Sequence, residues 1–283
     1  MRSSAPSHAL ILAAHGSRRR KEANRIVRDH AVRLQRDFGY PRVQAAFWQG
    51  RPGFGEVLDR TPAERYTVLP LFTADGYYVR RVLPRELAGN RRYQKERVRI
   101  TAPLGLRPEV LHMAEERSRI LLRDFGLSGL RSTLIVIGHG TRRHARSRTS
   151  TLKLVKRLQD QETFSQVLPA FLDDSPGLPE AFAQAGGEAV ILLPFLIGGT
   201  FHALHDIPRT LGLRNGQRAH RGSGHPLPSA LLQGDRLLIF DRALGEDPSV
   251  AAVLDRMARS DVEGTLPGFL PPHLQAEGAN RHA

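Results

Sequence analysis

The chain has 283 residues, enough for two domains of ordinary size, and 40% hydrophobic content supports real cores. It has no cysteine, which excludes a disulfide framework, a thiolate metal site and a cysteine nucleophile; any metal must be held by His, Asp or Glu. The formal charge of +14 predicts a polyanionic partner (nucleic acid, anionic membrane or a carboxylate-rich small molecule), although the excess of Arg also fits a compositional bias alone.

In chain order, Met1–Ala14 carries one Arg and too short an apolar stretch for a signal peptide. A strand is predicted at Ala9–Ala14, running into His15-Gly16-Ser17-Arg18-Arg19, and a basic amphipathic helix at Lys21–Phe38. Next come a strand ending at Phe47, a short helix near Phe54–Arg60 and a third strand at Tyr66–Phe72. A loop carries Tyr78, and a helix starts near Pro84. A fourth strand at Arg97–Thr101 and a helix at Pro108–Leu122 complete the series. The second half reads the same way. Its strands are Thr133–Ile137, one ending at Phe171, Ala189–Leu196 and Arg236–Phe240; its helices are Ser147–Gln161, Leu178–Gln184, one near Pro208, and Pro248–Ser260. The longest apolar run is about eleven residues, short of the roughly twenty a membrane span needs. The expectation is a soluble cytoplasmic protein without membrane attachment.

Sliding the chain by 124 residues, the separation of His15 and His139, aligns the halves without a gap over about 75 positions. His15-Gly16-Ser17-Arg18-Arg19 falls on His139-Gly140-Thr141-Arg142-Arg143, Ala46-Phe47 on Ala170-Phe171, Pro52-Gly53 on Pro176-Gly177, and Leu69-Pro70 on Leu193-Pro194. Strands alternating with helices call for parallel sheets covered on both faces. The fold class is therefore α/β: two tandem similar lobes, each a parallel sheet flanked by helices, with a cleft between them. The lobes are predicted at 1–126 and 131–267. Arg214–Pro228 is an insertion read as a mobile loop, and 268–283 is read as a disordered tail.

The mismatched positions carry the chemistry. Tyr78 stands opposite His202, Val82 opposite Asp206, and Gln49 opposite Asp173. The second half therefore holds two histidines and two carboxylates where the first holds one histidine and no acid. Neutral imidazole binds borderline divalent ions, and two histidines with a carboxylate or water leave coordination positions open. His139 and His202 each follow a predicted strand end, where open α/β sheets bind ligands. Taken singly, His139 also reads as a turn residue, His205 as a helix start and Asp206 as an N-cap. The glycine-containing HG(S/T)RR turns could instead bind an anion at a helix N-terminus. Neither fits a dinucleotide or P-loop motif, and Ser17 or Thr141 as a nucleophile lacks the G-x-S-x-G elbow.

Gly138-His139-Gly140-Thr141-Arg142, Ala170-Phe171-Leu172-Asp173 and the run from Pro194 through His202 to Asp206-Ile207-Pro208 resemble the class II tetrapyrrole chelatases. More narrowly, the chain is similar to sirohydrochlorin cobaltochelatases and ferrochelatases in their long, two-lobed form. The resemblance implies insertion of Co²⁺ or Fe²⁺, as a substrate, into sirohydrochlorin or a related acidic tetrapyrrole, in cobalamin or sirohaem synthesis, without an organic cofactor. It implies His139 and His202 as metal ligands and Asp173 as the acidic catalytic residue. Asp173 occupies a position usually held by a glutamate. The working site is expected in the C-terminal lobe, with the N-terminal one degenerate. His15, Tyr78, Arg18, Arg19, Arg142 and Arg143, with Arg80 and Arg81, are candidates for gripping the carboxylate arms. The expected partner is the tetrapyrrole and not nucleic acid, for which there is no motif or aromatic platform. The expected state is monomer or homodimer. A non-catalytic tetrapyrrole or metal carrier is the alternative.

Overall fold

The structure, a computed structural model, describes residues 7–18, 21–140, 145–198, 211, 218–220, 229–233 and 235–260. The tail 268–283 lies outside them.

The first four strands are β1 (His8–Ala14), β2 (Val43–Phe47), β3 (Arg65–Leu71) and β4 (Val98–Ile100). They form an all-parallel sheet in the order β2-β1-β3-β4. The second set is β5 (Ser132–Gly138), β6 (Gln166–Phe171), β7 (Ala189–Pro194), β8 (Arg218–His220), β9 (Ser229–Gln233) and β10 (Arg236–Phe240). Their order is β6-β5-β7-β10-β9-β8. The first four positions of each sheet thus repeat, with β5, β6, β7 and β10 in the roles of β1 to β4.

The central strands are apolar without alternation because helices cover both faces of a parallel sheet. Leu10, Ile11 and Leu12 in β1, and Leu134, Ile135 and Val136 in β5, are wholly buried. Each such side chain contributes about 1.5–3 kcal/mol of hydrophobic free energy. Successive residues point to opposite faces. Ile11 and Ala13 pack with Val57 and Leu58 of α2 (Val57–Arg60) and Leu83 and Leu87 of α3 (Leu83–Ala88). Ile135 and Ile137 pack in the same way with Leu178 and Ala181 of a later helix, Leu178–Gln184. Helix α1 (Lys21–Phe38) lies against β1 and β2, burying Val27, Ala31 and Leu34 at helical spacing.

The compact units differ from the sequence halves 1–126 and 131–267. One unit gathers the described residues up to Leu104 with those from Pro248; the other is Gly105–Asp247. Helix α4 (Pro108–Asp124) follows β4 in the chain but packs in the second unit, on β7 and on α5 (Ala145–Asp160). With Leu178–Gln184 as α6, the last helix is α7 (Val250–Arg259), and it packs on α1 and β3 of the first unit. Specific polar contacts accompany each assignment. The Arg117 guanidinium on α4 donates to both carboxylate oxygens of Asp241, wholly buried just after β10, and to Asp247 at 3.4 Å. Arg99 on β4 donates to the Ala258 and Ser260 carbonyls at the end of α7, each at 2.6 Å. The Tyr40 hydroxyl donates to Asp255 of α7 at 2.8 Å.

One expectation is corrected within Arg214–Pro228. The described residues 218–220 are strand β8, antiparallel to β9, which is itself antiparallel to β10. The second sheet is therefore mixed at one edge. Gly234-Asp235 separates β9 from β10, and a two-residue Gly-Asp link is a hairpin signal. Strands β9 and β8 thus extend the second sheet beyond β10, whereas among the described residues the first sheet ends at β4.

Candidate metal centre and its counterpart in the first unit

Strands β1 and β5 each lie between the next two strands in the chain, so the connections leave them in opposite directions. That is the switch point of an open α/β sheet, and ligands bind at its carboxyl end. His15 follows β1 there, and His139 follows β5.

The turn after each strand is built alike. Gly16 and Gly140 have φ of +68° and +66°, a left-handed conformation that glycine adopts without penalty. A Cβ on Gly140 would meet the Cβ atoms of Phe171 and Asp174 at 2.8 and 2.9 Å; one on Gly16 would meet Phe47 Cβ at 2.8 Å. In each turn the histidine Nδ1 donates to the next residue's carbonyl, at 3.0 Å for His15 and 3.1 Å for His139. In each, a backbone N–H just past the second strand donates to the histidine carbonyl: Gln49 to His15 at 2.7 Å and Asp173 to His139 at 3.0 Å. Residues 49 and 173 thereby become neighbours of the histidines.

In the second unit this pairing brings the Asp173 carboxylate to 3.0 Å from His139 Nδ1. Both oxygens around Nδ1, from Gly140 and Asp173, accept, so Nδ1 carries the proton. In the neutral ring Nε2 then holds the lone pair, the form that binds a metal ion. A carboxylate behind a ligating imidazole fixes its tautomer and orientation and raises its basicity. Both side chains are about 60% exposed. The shorter aspartate reaches the ring because the backbone bond brings the two chains together. Nearby, Arg148 on α5 pairs with Asp174 at 3.3 Å and stacks on Phe171 at 4.9 Å. The matching residue in the first unit, Asn24, bonds both the N–H and the carbonyl of Ser17.

Of the other expected ligands, His202, His205 and Asp206 lie outside the described residues, as do Arg19, Arg142 and Arg143. Among the described residues no three His, Asp or Glu side chains converge as a metal site would require. Arg18 is exposed beside the first turn. Arg80 donates to Asp75 at 2.6 Å, so it already holds one carboxylate.

The first unit surrounds its histidine differently. The ring of Tyr78 meets His15 edge-on, with centroids 4.8 Å apart. Trp48, Phe72 and Tyr77 lie 6.2, 6.4 and 5.7 Å from Tyr78. The sequence reading found His15 and Tyr78 but missed these three. It compared ligating types between the halves, whereas the available signal was an aromatic at the end of each of two strands.

The CbiX family model matches residues 9–121 and 133–261. A probable sirohydrochlorin cobaltochelatase of Halobacterium salinarum is 25% identical over 226 residues, 71% of this chain and 75% of that one. A sirohydrochlorin cobaltochelatase of Methanothermobacter thermautotrophicus is 28% identical over 133 residues, 46% of this chain and 92% of that one. Among solved structures, CbiX, described as the terminal enzyme of sirohaem biosynthesis in denitrifying bacteria, superposes with a TM-score of 0.69 at 20% identity, covering 90% of this chain and all of that one. A multi-domain Deinococcus radiodurans protein with structural similarity to chelatases gives 0.68 at 24% identity; this chain, covered to 98%, spans 60% of its length. The matched segments are the two repeats, each with its histidine turn at the carboxyl end of a central strand, and the chain belongs to the CbiX family.

Proposed function

We propose that the protein is a metal chelatase that inserts Co²⁺ or Fe²⁺ into sirohydrochlorin or a closely related acidic tetrapyrrole, serving cobalamin or sirohaem synthesis. The observation that carries this reading is His139, its Nδ1 bound to Asp173 and Gly140 and its Nε2 left as the donor, in a chain of the CbiX family. Relatives named sirohydrochlorin cobaltochelatase support the macrocycle, and a similar structure, SirB of Bacillus subtilis with Fe³⁺, keeps iron beside cobalt as a candidate metal.

In this reading His139 and His202 hold the divalent ion while the macrocycle approaches. Two pyrrole N–H protons leave as the ion enters, so M²⁺ replaces two H⁺ in the ring core and the charge of the carboxylate-bearing molecule is unchanged. Each nitrogen exchanges its N–H bond for a bond to the metal. The histidines release the ion as the four nitrogens take it. Asp173 keeps His139 aimed, and the carboxylate oxygen not bound to Nδ1 can accept a departing proton. The protein contributes positioning and deprotonation, and the macrocycle supplies the final ligands.

An anaerobic absorbance assay with sirohydrochlorin and either Co²⁺ or Fe²⁺ tests the proposal. Conversion beyond one equivalent, faster than with His139→Ala, is expected. A bound-pigment spectrum without conversion would overturn it in favour of a carrier.

A further inference from the structure

Position 78 separates the two units most sharply: the second has His202 there, and the first has Tyr78 at the centre of an aromatic group. The Tyr78 ring lies nearly parallel to Phe72, 15° between planes, and meets His15 and Tyr77 in T-shaped contacts. The residues come from three strand ends. His15 follows β1, Trp48 follows β2 and Phe72 follows β3, while Tyr78 opens the π-helical turn Tyr78–Val82 that leads into α3. Trp48, Phe72 and Tyr78 are partly buried at the margin of the first unit's apolar core, and Tyr77 is 47% exposed. Partly exposed aromatic rings at the ligand-binding end of a parallel sheet can form a stacking surface. Exposed Arg18 and Arg81 stand on the turns that carry it, while Arg80 on the same turn is held by Asp75. At the positions matching Asp173 and Asp206 this unit has Gln49 and Val82, so His15 has no carboxylate at either.

We propose that the carboxyl end of the first sheet is a binding platform for the conjugated face of an acidic tetrapyrrole, with Tyr78, Trp48, Phe72 and Tyr77 as the stacking surface and the arginines meeting carboxylate arms. The platform binds pigment and does not hold the metal. The identity of its ligand rests on the chelatase reading; the stacking chemistry does not.

Trp48 is the only tryptophan in the chain, so its emission reports on the platform. Metal-free sirohydrochlorin is titrated anaerobically into the full-length protein and into Tyr78→Leu, Tyr78→Phe and Tyr77→Ala, with circular dichroism to verify folding. Saturable quenching is expected. Tyr78→Leu should weaken Kd about tenfold, equal to about 1.4 kcal/mol, with Tyr78→Phe restoring it to within about twofold. Tyr77→Ala, which removes a side chain nearly half in solvent, should weaken binding by about threefold. Wild-type affinity in both Tyr78→Leu and Tyr77→Ala would overturn the platform, as would displacement of the pigment by a single-stranded oligonucleotide, which would assign the surface to bases. Pigment binding with this dependence on Tyr78 but no metal insertion would uphold the platform and remove the chelatase reading. Insertion without the dependence would remove the platform alone, and a wild type that neither binds nor inserts would remove both.

Discussion

His139 and Asp173 show how one backbone bond sets up chemistry. Asp173 N–H to the His139 carbonyl, at 3.0 Å, aligns the two strand ends, and the carboxylate then reaches Nδ1. The alignment of the halves singled out both residues as ligand and acid. It did not reveal that they touch, because residues 34 positions apart become neighbours only through the pairing of β5 with β6. Asp173→Asn removes the carboxylate charge behind Nδ1 and presents it with either an amide oxygen or an amide N–H, leaving the Gly140 carbonyl as the remaining fixed acceptor. The expected result is a 10–100-fold loss of insertion rate, the usual range for the partner behind a ligating histidine, measured at saturating metal and pigment. Undiminished activity would assign the orientation of His139 to the Gly140 carbonyl alone. The glycines were legible only as turn punctuation. Their positive φ and their contact with Phe47 or Phe171 show why no side chain fits.

At the scale of elements, strands and helices were largely legible because hydrophobic period and length are local properties. Helix Lys21–Phe38 has its expected bounds, and β10 likewise. The partner of each final helix was not legible. An amphipathic stripe shows that a helix is covered but not by which sheet: α4 packs with the strands that follow it, and α7 with those at the start of the chain. The Arg117–Asp241 pair makes one such assignment testable. Burial opposes charge on Arg117, yet hydrogen bonding to Asp241 and the fields of Asp241 and Asp247 hold its pKa above the ordinary value. Arg117→Ala leaves a wholly buried carboxylate without its cation and should cost about 3 kcal/mol in urea unfolding followed by circular dichroism. Adding Asp241→Ala should recover part of that loss; no recovery would mean the guanidinium acts through packing.

His8, at the start of β1, supplies a pH dependence. Its Nε2 lies 2.9 Å from the Thr67 hydroxyl; burial first, then the charges of Arg65 and Arg99, lower its pKa below the ordinary 6.5. The unfolded chain therefore binds a proton that the folded chain resists. This contribution is intact above pH 6.5 and is lost as pH falls from there toward the lowered value. Thermal melts at pH 7.5 and 5.5 should show a smaller drop for His8→Gln than for the wild type. Equal drops would assign the acid sensitivity to other groups.

For the whole molecule, the recurrence of one strand order and one histidine turn is the organising feature, and it was legible because matched punctuation at fixed spacing survives where composition drifts. The same strand order and the same histidine turns recur in both units. The charge of +14 pointed to an anionic partner without distinguishing a macrocycle from nucleic acid. Among the described residues no helix is long and apolar enough to cross a membrane. The two proposals together make a division of labour between the units, with metal chemistry at His139 and pigment contact around Tyr78. Initial rates of metal insertion into sirohydrochlorin by His15→Ala and His139→Ala, measured side by side against the wild type, test that division most directly. The account predicts that His139→Ala loses at least about a hundredfold in kcat, on the order of 3 kcal/mol of transition-state stabilisation, and that His15→Ala loses less than about tenfold. Equal losses would contradict it and return the two histidines to a shared role.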